Sequence, residues 1–469
     1  MDALRSAQTS LQINAARSAT VASNVGRAGE EGYARRDVPT TTDAAGARAL
    51  RVRRAHDAAL DAAHLHARSQ ASVASSNAAS LDALRGLMGG TQAEGSPHAL
   101  LLDLRAGLQR FAAAPGSMPG AVSAIDRARD AATGLNRIAD GIAALRTGAD
   151  EDIARDMDAL RDLVARFGEE NGAVVAANRQ GRDASDAMDA RARTLGAISD
   201  LVGVHVRARS HGDMVLLAGG PGGPVLHEAI GRPLGFAPSG VLGSSGGGNK
   251  PLFDGQEVGP EIGGRIGAAL LLRDRIAPEE AARVDALAAG LIDAFADTDG
   301  TTGAPGLFID TGSGPVTGIA GRIALNPLHD PDRGGDPLAL RDGVPGGPLA
   351  GRNPERDAGF AALLIERIEA LDAPRPFDPS LGLGADASLL GAAAAQVGQI
   401  DRARSDALGV REGSSAALTR AATAHSNAVG VNVDEEMALL IEIEQSHRAA
   451  ARIIAAVDGM LDDLFAAAR

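Results

Sequence analysis

The 469-residue chain has no cysteine, no tryptophan, one tyrosine and one lysine, and aromatics make up only 2% of it. Without cysteine there is no disulfide framework, thiolate metal site or cysteine nucleophile. The same absence suits a chain that passes into an oxidising space without cross-linking. With so few aromatics, the core must be built from Ala, Leu, Ile and Val. Such a core suits closely packed helices better than a deep ligand pocket. A formal net charge of −14, with no basic stripe carrying stacking rings, argues against nucleic-acid binding. No run reaches the roughly 18 apolar residues that span a bilayer. The opening stretch lacks the basic-then-apolar pattern of a secretory signal, so a role outside the cytoplasm would need another export route.

What is present is helical periodicity. Leu4, Ala7, Leu11, Ala15, Ala19, Ala22 and Val25 recur at three- and four-residue steps, predicting an amphipathic helix over 1–30. An extended segment is expected over 33–54, then helix almost throughout 55–200. Segments 97–113, 119–147, 151–167 and 184–202 each carry an apolar stripe, and Ile153, Met157, Leu160, Val164 and Phe167 follow a 4-3-4-3 seam. From Gly203 the pattern changes. Val204–Ala208 and Met214–Ala218 read as a β-hairpin, and 219–263 as loops and short strands. Helix is expected again at 264–296, 355–372 and 386–424, with a turn-rich, β-containing stretch at 297–354.

The last segment is the clearest. Asn432 and Glu435 have capping-box spacing. Behind them Leu439, Ile443, Ser446, Ala450, Ile453, Val457, Met460 and Leu464 step as a heptad seam. The reading is an α+β, mainly α chain folded back on itself. Terminal helices at 1–40 and 425–469 pair as a coiled coil. A helical rod domain comprises 41–203, 264–300 and 385–424. A smaller β-rich outer domain comprises 204–263 and 301–384. Both ends are Ala-rich and too weakly apolar to fold alone, which points to a polymer subunit ordering on its neighbours.

Chemical motifs are few. Phe308-Ile309-Asp310-Thr311-Gly312-Ser313 copies an aspartic-protease loop. That chemistry needs two carboxylates, so a homodimer would have to supply the second. Asp310→Ala tests this remote alternative. Asp297-Thr298-Asp299-Gly300 opens like a calcium loop but has Phe308 where the bidentate Glu belongs. Gly243–Lys250 lacks the Gly-Lys-Ser/Thr of a phosphate loop. The ten histidines are scattered; His64 and His66 face different sides of a predicted helix, and each histidine reads as a surface or rim residue. No catalytic residue, cofactor or metal is expected, and the chain reads as no enzyme.

Four blocks resemble those of the flagellar hook-associated protein 1 family, within the flagellar axial proteins. Ala22-Ser23-Asn24-Val25 through Gly32-Tyr33-Ala34-Arg35 resembles the N-terminal axial signature, with Val25 in place of a second Asn. Met188-Asp189-Ala190-Arg191 through Val202-Gly203-Val204 is similar to the family segment entering its hairpin. Gly263-Gly264-Arg265 through Leu272-Arg273-Asp274 is similar to a family helix. Gly430-Val431-Asn432-Val433-Asp434-Glu435-Glu436-Met437 through Ala451-Arg452-Ile453-Ile454 resembles the C-terminal axial signature, with His447 in place of a Tyr.

The resemblance implies a structural subunit at the junction of hook and filament, lying outside the cell on the flagellum and exported without a cleaved signal. Its partners would be hook protein, the second junction protein (hook-associated protein 3), further copies of itself in a ring or helical layer, and a cytoplasmic export chaperone on the C-terminal helix. Nucleic acid and membrane insertion are not implied. The expected assembly interface comprises Leu4, Leu11, Asn24, Gly32, Tyr33, Arg35, Asp434, Glu435, Met437, Leu439, Ile443, Ile453, Val457, Met460 and Leu464. The nearest alternative is another axial subunit of hook or rod type. An exported helical adhesin or effector would have no need of matching signatures at both ends.

Overall fold

The computed structural model describes residues 2–43, 46–49, 51–90, 93–240, 242, 246–298, 303–312 and 317–467; within these the side chains of 2–4, 41–43, 46–49, 303, 461–462 and 464–465 lie outside the description. The chain is mainly helical, with small sheets. The helices are α1 (Asp2–Arg27), α2 (Ala58–Met88), α3 (Pro97–Ala113), α4 (Met118–Arg179), α5 (Ser185–Leu201), α6 (Gly264–Leu271), α7 (Ala277–Ala294), α8 (Ala339–Asp342), α9 (Ala362–Asp372), α10 (Leu389–Val429) and α11 (Val433–Ala467). Local chemistry sets several starts. The Asp57 carboxylate accepts the Ala59 and Leu60 N–H groups, and Ser96, Ser117 and Ser388 cap α3, α4 and α10.

The spine is α4, a single helix of 62 residues, which runs unbroken through the two striped segments 119–147 and 151–167. Nothing between them stops a helix, because Gly148 and Ala149 carry no capping or breaking geometry. Its first half, from Ala121 to Ala149, packs with α3, α7 and the start of α10 in one apolar cluster. Its second half, from Ile153 to Phe167, packs with α5, α6 and the hairpin in another. A buried polar belt lies between them. Arg273, fully buried, donates to Asp150 at 2.5 Å and Asp274 at 2.7 Å, and Arg146 Nε donates to the Arg273 carbonyl at 2.8 Å. Arg273 sits in a π-helical turn, Leu272–Ile276, that joins α6 to α7.

Strands β1 (Arg36–Asp37), β2 (Thr40–Asp43), β3 (Gly46–Ala49) and β4 (Arg53–Arg54) form two small antiparallel pairs, β1 with β4 and β2 with β3. The expected hairpin is present as β5 (Val204–Ala208) and β6 (Met214–Ala218), with Val204 opposite Ala218. It extends through β7 (Val225–Glu228) and β8 (Ile230–Gly231) into a four-stranded meander.

Stretch 301–384, expected to be β-rich, differs. Its strands are two or three residues long, as in Phe308–Asp310 against Ile323–Leu325, and most of it is turn and short helix. Frequent Gly and Pro remove ladder donors and side chains, so long strands do not form. Its described buried apolar residues pack in the α3–α7 cluster, whereas those of 204–263 pack in the other, so among the described residues the two halves of the expected outer domain lie in different apolar clusters. The helix expected over 355–372 is confined to α9.

Candidate functional site: the clasp between the chain ends and the body

α1 and α11 pack side by side. On α1 the buried residues are Ala7, Ile13, Asn14, Val21 and Asn24, while Ala15, Ala19 and Ala22 are exposed. The stripe expected on α1 is thus displaced. An Ala-rich helix gives almost no contrast between faces, so the heptad through Ala7, Asn14 and Val21 is set by the partner helix. Across the pair, Asn14 Nδ2 donates to Ser446 Oγ at 3.0 Å.

On α11, Ile443 and Ala450 are buried, and Leu439, Leu440, Ile454 and Val457 are half-buried. Ile453 and Met460, expected within the seam, are 48% and 61% exposed. The helix is turned so that Ile454 takes the inner position. Met437 is exposed too, and Leu11 is half-buried. The side chains of Leu4 and Leu464 lie outside the described residues. At the start of α11, Asn432 Oδ1 accepts the N–H groups of Asp434 (3.1 Å) and Glu435 (3.4 Å). Glu435 reaches back to the Asn432 side-chain amide, at 3.2 Å, where the capping box would have placed it on the backbone.

At the base of this pair three of the four signature blocks converge. Asn24, fully buried, locks the turn after α1: its Nδ2 donates to the Arg36 carbonyl at 2.9 Å, and its Oδ1 accepts the Arg36 N–H at 3.0 Å. The Tyr33 hydroxyl donates to the same Oδ1 at 2.8 Å. The guanidinium carbons of Arg27 and Arg36 lie 4.5 and 4.9 Å from the Tyr33 ring centroid, within cation–π range. Gly32 has φ +77°, and a Cβ there would stand 2.6 Å from Arg193 Cγ, so glycine is required on both counts.

The hub is Asp189 on α5, fully buried. Its carboxylate accepts from Arg36 Nη2 at 2.6 Å and Arg54 Nε at 2.7 Å. Arg54 also donates to the Gly32 carbonyl, at 3.1 Å. Neighbouring Asp186 accepts from Arg27 and Arg36, and those two hydrogen bonds hold its carboxyl below the usual range. Burial opposes the charge on Arg36, but Asp186 and Asp189 more than restore it, so its pKa lies above the ordinary value. The C-terminal block joins through Arg35. Its N–H donates to the Val429 carbonyl at 2.8 Å, and its Nε lies 3.1 Å from the buried carboxylate of Glu436.

The clasp therefore brings together Asn24, Gly32, Tyr33 and Arg35 of the expected residues. Asp434, Met437, Ile453 and Met460 face solvent instead. Sequence reading did not single out Arg36, Arg54 or Asp186, and quoted Asp189 and Glu436 only as parts of blocks. Each is an ordinary charged residue in sequence, and the hub pairs residues some 150 positions apart. The fourth block is placed elsewhere, at the polar belt of α4. There Gly264, with φ +62°, packs so closely that a Cβ would lie 2.3 Å from the Leu201 carbonyl carbon.

Among the described residues the two acidic motifs noted in the sequence are occupied by ion pairs. Asp310 is bound by Arg322, whose Nε and Nη2 each lie 3.0 Å from a carboxylate oxygen. Asp297 is buried against Arg367 at 2.7 Å. Among the described residues no group of three His, Asp or Glu is arranged to hold a metal, and no helix is long and apolar enough to cross a membrane.

The family model described as the flagellar hook-associated protein FlgK helical domain matches residues 81–303, and that described as the flagellar basal body rod FlgEFG protein C-terminal matches 424–466. No protein of curated function matches the chain. Among solved structures, the flagellar hook junction protein FlgK from Burkholderia pseudomallei is similar at 18% identity and a TM-score of 0.43, over 52% of this chain and 46% of that one. The match thus spans less than half of that protein's length.

Proposed function

We propose, from the premise that the chain belongs to the flagellar hook-associated protein family and is a structural subunit of the flagellum, that it forms the junction between hook and filament. It would reach the hook tip by export without a cleaved signal. There it would contact hook protein on one side and the second junction protein (hook-associated protein 3) on the other, with further copies of itself alongside. A cytoplasmic chaperone would cover α11 before export. The rod or hook alternative draws support only from the C-terminal match, because that block is common to axial proteins, whereas the helical-domain match covers the body. The non-enzymatic reading rests on the family and on the ion pairs that occupy Asp310 and Asp297.

The observation that carries the proposal is the clasp. The N-terminal segment is tied to the buried Asp189 carboxylate on the body, and α11 is tied to that segment through Arg35 and Glu436, while α11 presents Met437, Ile441, Ile453 and Met460 to solvent. A subunit built this way holds its ends in a fixed direction and leaves apolar side chains on both flanks of α11 for neighbours to cover. Ordering of that pair would be completed by polymerisation, which supplies stability the isolated chain lacks. Cells lacking the chain should build hooks but shed filament subunits into the medium, and the tagged protein should label the hook–filament boundary. Filaments of normal length on such cells would overturn the proposal. Asp189→Ala should weaken attachment of the ends by up to about 3–5 kcal/mol, since it removes the buried carboxylate from two guanidiniums and leaves Arg36 only the exposed Asp186 and Arg54 only backbone carbonyls. Hook-tip incorporation should fall with it.

A further inference from the structure

Beside the clasp lies a cavity of about 930 Å³ between the base of α1, α2, α5, the β5–β6 hairpin and the end of α10. Five of the ten histidines line it: His56, His64, His66, His205 and His425. Two of them meet one carboxylate, and a third packs against one of those two. Asp61 on α2 is 2.7 Å from His56 Nδ1 and 2.6 Å from His425 Nε2, and the His64 ring is centred 5.4 Å from that of His425. The elements joined are the ones a joint would use. His56 lies in the short connection 55–57 from β4 to α2. His425 lies on α10 one turn before Gly430, where the chain breaks to begin α11. Asp61 therefore ties the last turn of the body to the first residues leaving the clasp.

We propose that Asp61, His56, His64 and His425 form a pH-sensitive joint between the helical body and the paired chain ends, tightest near the ordinary imidazole value and loosened on both sides of it.

The two limbs have different causes. The bond from Asp61 raises the His56 pKa from its ordinary 6.5, against burial and the nearby Arg54 and Arg191. Burial lowers that of His64, helped by His425 and Arg68 and opposed by Asp61 and Glu31. Asp61 itself stays ionised: burial works against its charge, but His425 and His56 hold it well below the carboxylate range. As pH rises above 6.5, His56 loses its proton and the charge-assisted bond to Asp61 weakens; such bonds are roughly twice as strong as neutral ones. As pH falls below 6.5, the unfolded or opened chain protonates His64 more readily than the closed one, and a cation forms against His425 and Arg68. Proton linkage therefore makes the contribution rise with pH on the acid side and fall on the alkaline side. The cavity gives the imidazoles room to separate and protons a path to them.

Having no cysteine, the full chain accepts a spin-label pair directly, for example at Gln70→Cys on α2 and Ala456→Cys on α11, both exposed. The distance distribution between labels should be narrowest near pH 6.5 and broaden toward pH 5 and pH 8.5. His64→Leu should remove the acid broadening only, and His56→Asn the alkaline broadening only. Imidazole resonances of the unsubstituted chain should show His56 titrating above His64 by a readable shift, which keeps the test independent of any variant's folding. Far-UV circular dichroism checks the variants, with His64→Gln as a second if the first fails to fold. A pH-independent distribution in the parent chain, or titration in the opposite order, would overturn the proposal.

Discussion

The body and the paired ends are both helical, yet they are held together by different physics. In the body, Phe111, Phe167, Phe253, Phe295 and Phe308 are fully buried among Leu, Ile and Val, so that more than half of the chain's nine Phe serve its two apolar clusters. In the pair, the described buried apolar residues are Ala7, Ile13, Val21, Ile443 and Ala450, and the interface includes Asn14, Asn24 and Glu436. At about 25 cal/mol per Å² of apolar surface, so short a row, part of it alanine, buries little. What fixes the ends is the clasp of arginines and carboxylates at their base, which sets direction more than it supplies stability. The body is thus a self-sufficient fold, and the ends are a held but unfinished interface.

The largest effect should come from the body. Phe167, fully buried and edge-on to His227 with ring centroids 5.2 Å apart, leaves a cavity when truncated. Phe167→Ala should cost about 3–5 kcal/mol of unfolding free energy in the monomer, measured by denaturant titration. Ile443→Ala in the paired ends should cost well under half as much. Equal losses would erase the distinction between the two regions.

The second test uses pH. His329 is fully buried in the body with neither ring nitrogen partnered. Burial, with help from Arg367, lowers its pKa from 6.5 to about 4. The unfolded chain therefore binds a proton that the folded body refuses. The associated stability is complete above pH 6.5 and is lost as pH falls toward 4, at about 1.4 kcal/mol per pH unit. Over that window the body should lose about 3 kcal/mol, read from denaturant midpoints, and His329→Leu should flatten the slope. An unchanged slope in the variant would place the acid sensitivity elsewhere.

How much of this was legible in sequence follows the same division. The body's stripes were readable because Leu, Ile and Phe contrast sharply with their neighbours, as in Ile153, Met157, Leu160, Val164 and Phe167, all of which are buried. The two stripes of α4 read as separate segments because a polar interval parts them; it carries Arg146 and Asp150, which meet Arg273 from the turn between α6 and α7. On α1 the alanines hid the true face. The strands expected in 301–384 were over-read, since a turn-rich composition does not distinguish short bridges from ladders. In the clasp, Asn24, Gly32, Tyr33 and Arg35 came from resemblance, which carries positions but not partners. Their partners Asp189 and Glu436 lie within quoted blocks and Arg54 outside them, but nothing local says which residues pair, because a buried ion pair is made by topology.

The smallest expected effect on stability is also the most decisive for the ends. Ile453 and Met460 stand on the outer flank of α11, largely exposed, one heptad apart and beside the half-buried Val457. Surface substitutions that remove no packed contact typically change stability by within about 0.5 kcal/mol. Ile453→Ser combined with Met460→Ser should therefore leave the monomer's melting and its helix content unchanged. If these side chains are what neighbouring subunits cover, the same double variant should fail to incorporate at the hook tip and should leave cells non-motile, whereas Ile365→Ser on α9, an equally exposed apolar change in the body (Ile365 is 48% exposed), should do neither. Motility intact in the double variant would mean that the pair is already complete in the single chain, its flank serving only solvent. The contrast between a finished body and unfinished ends would then have to be given up.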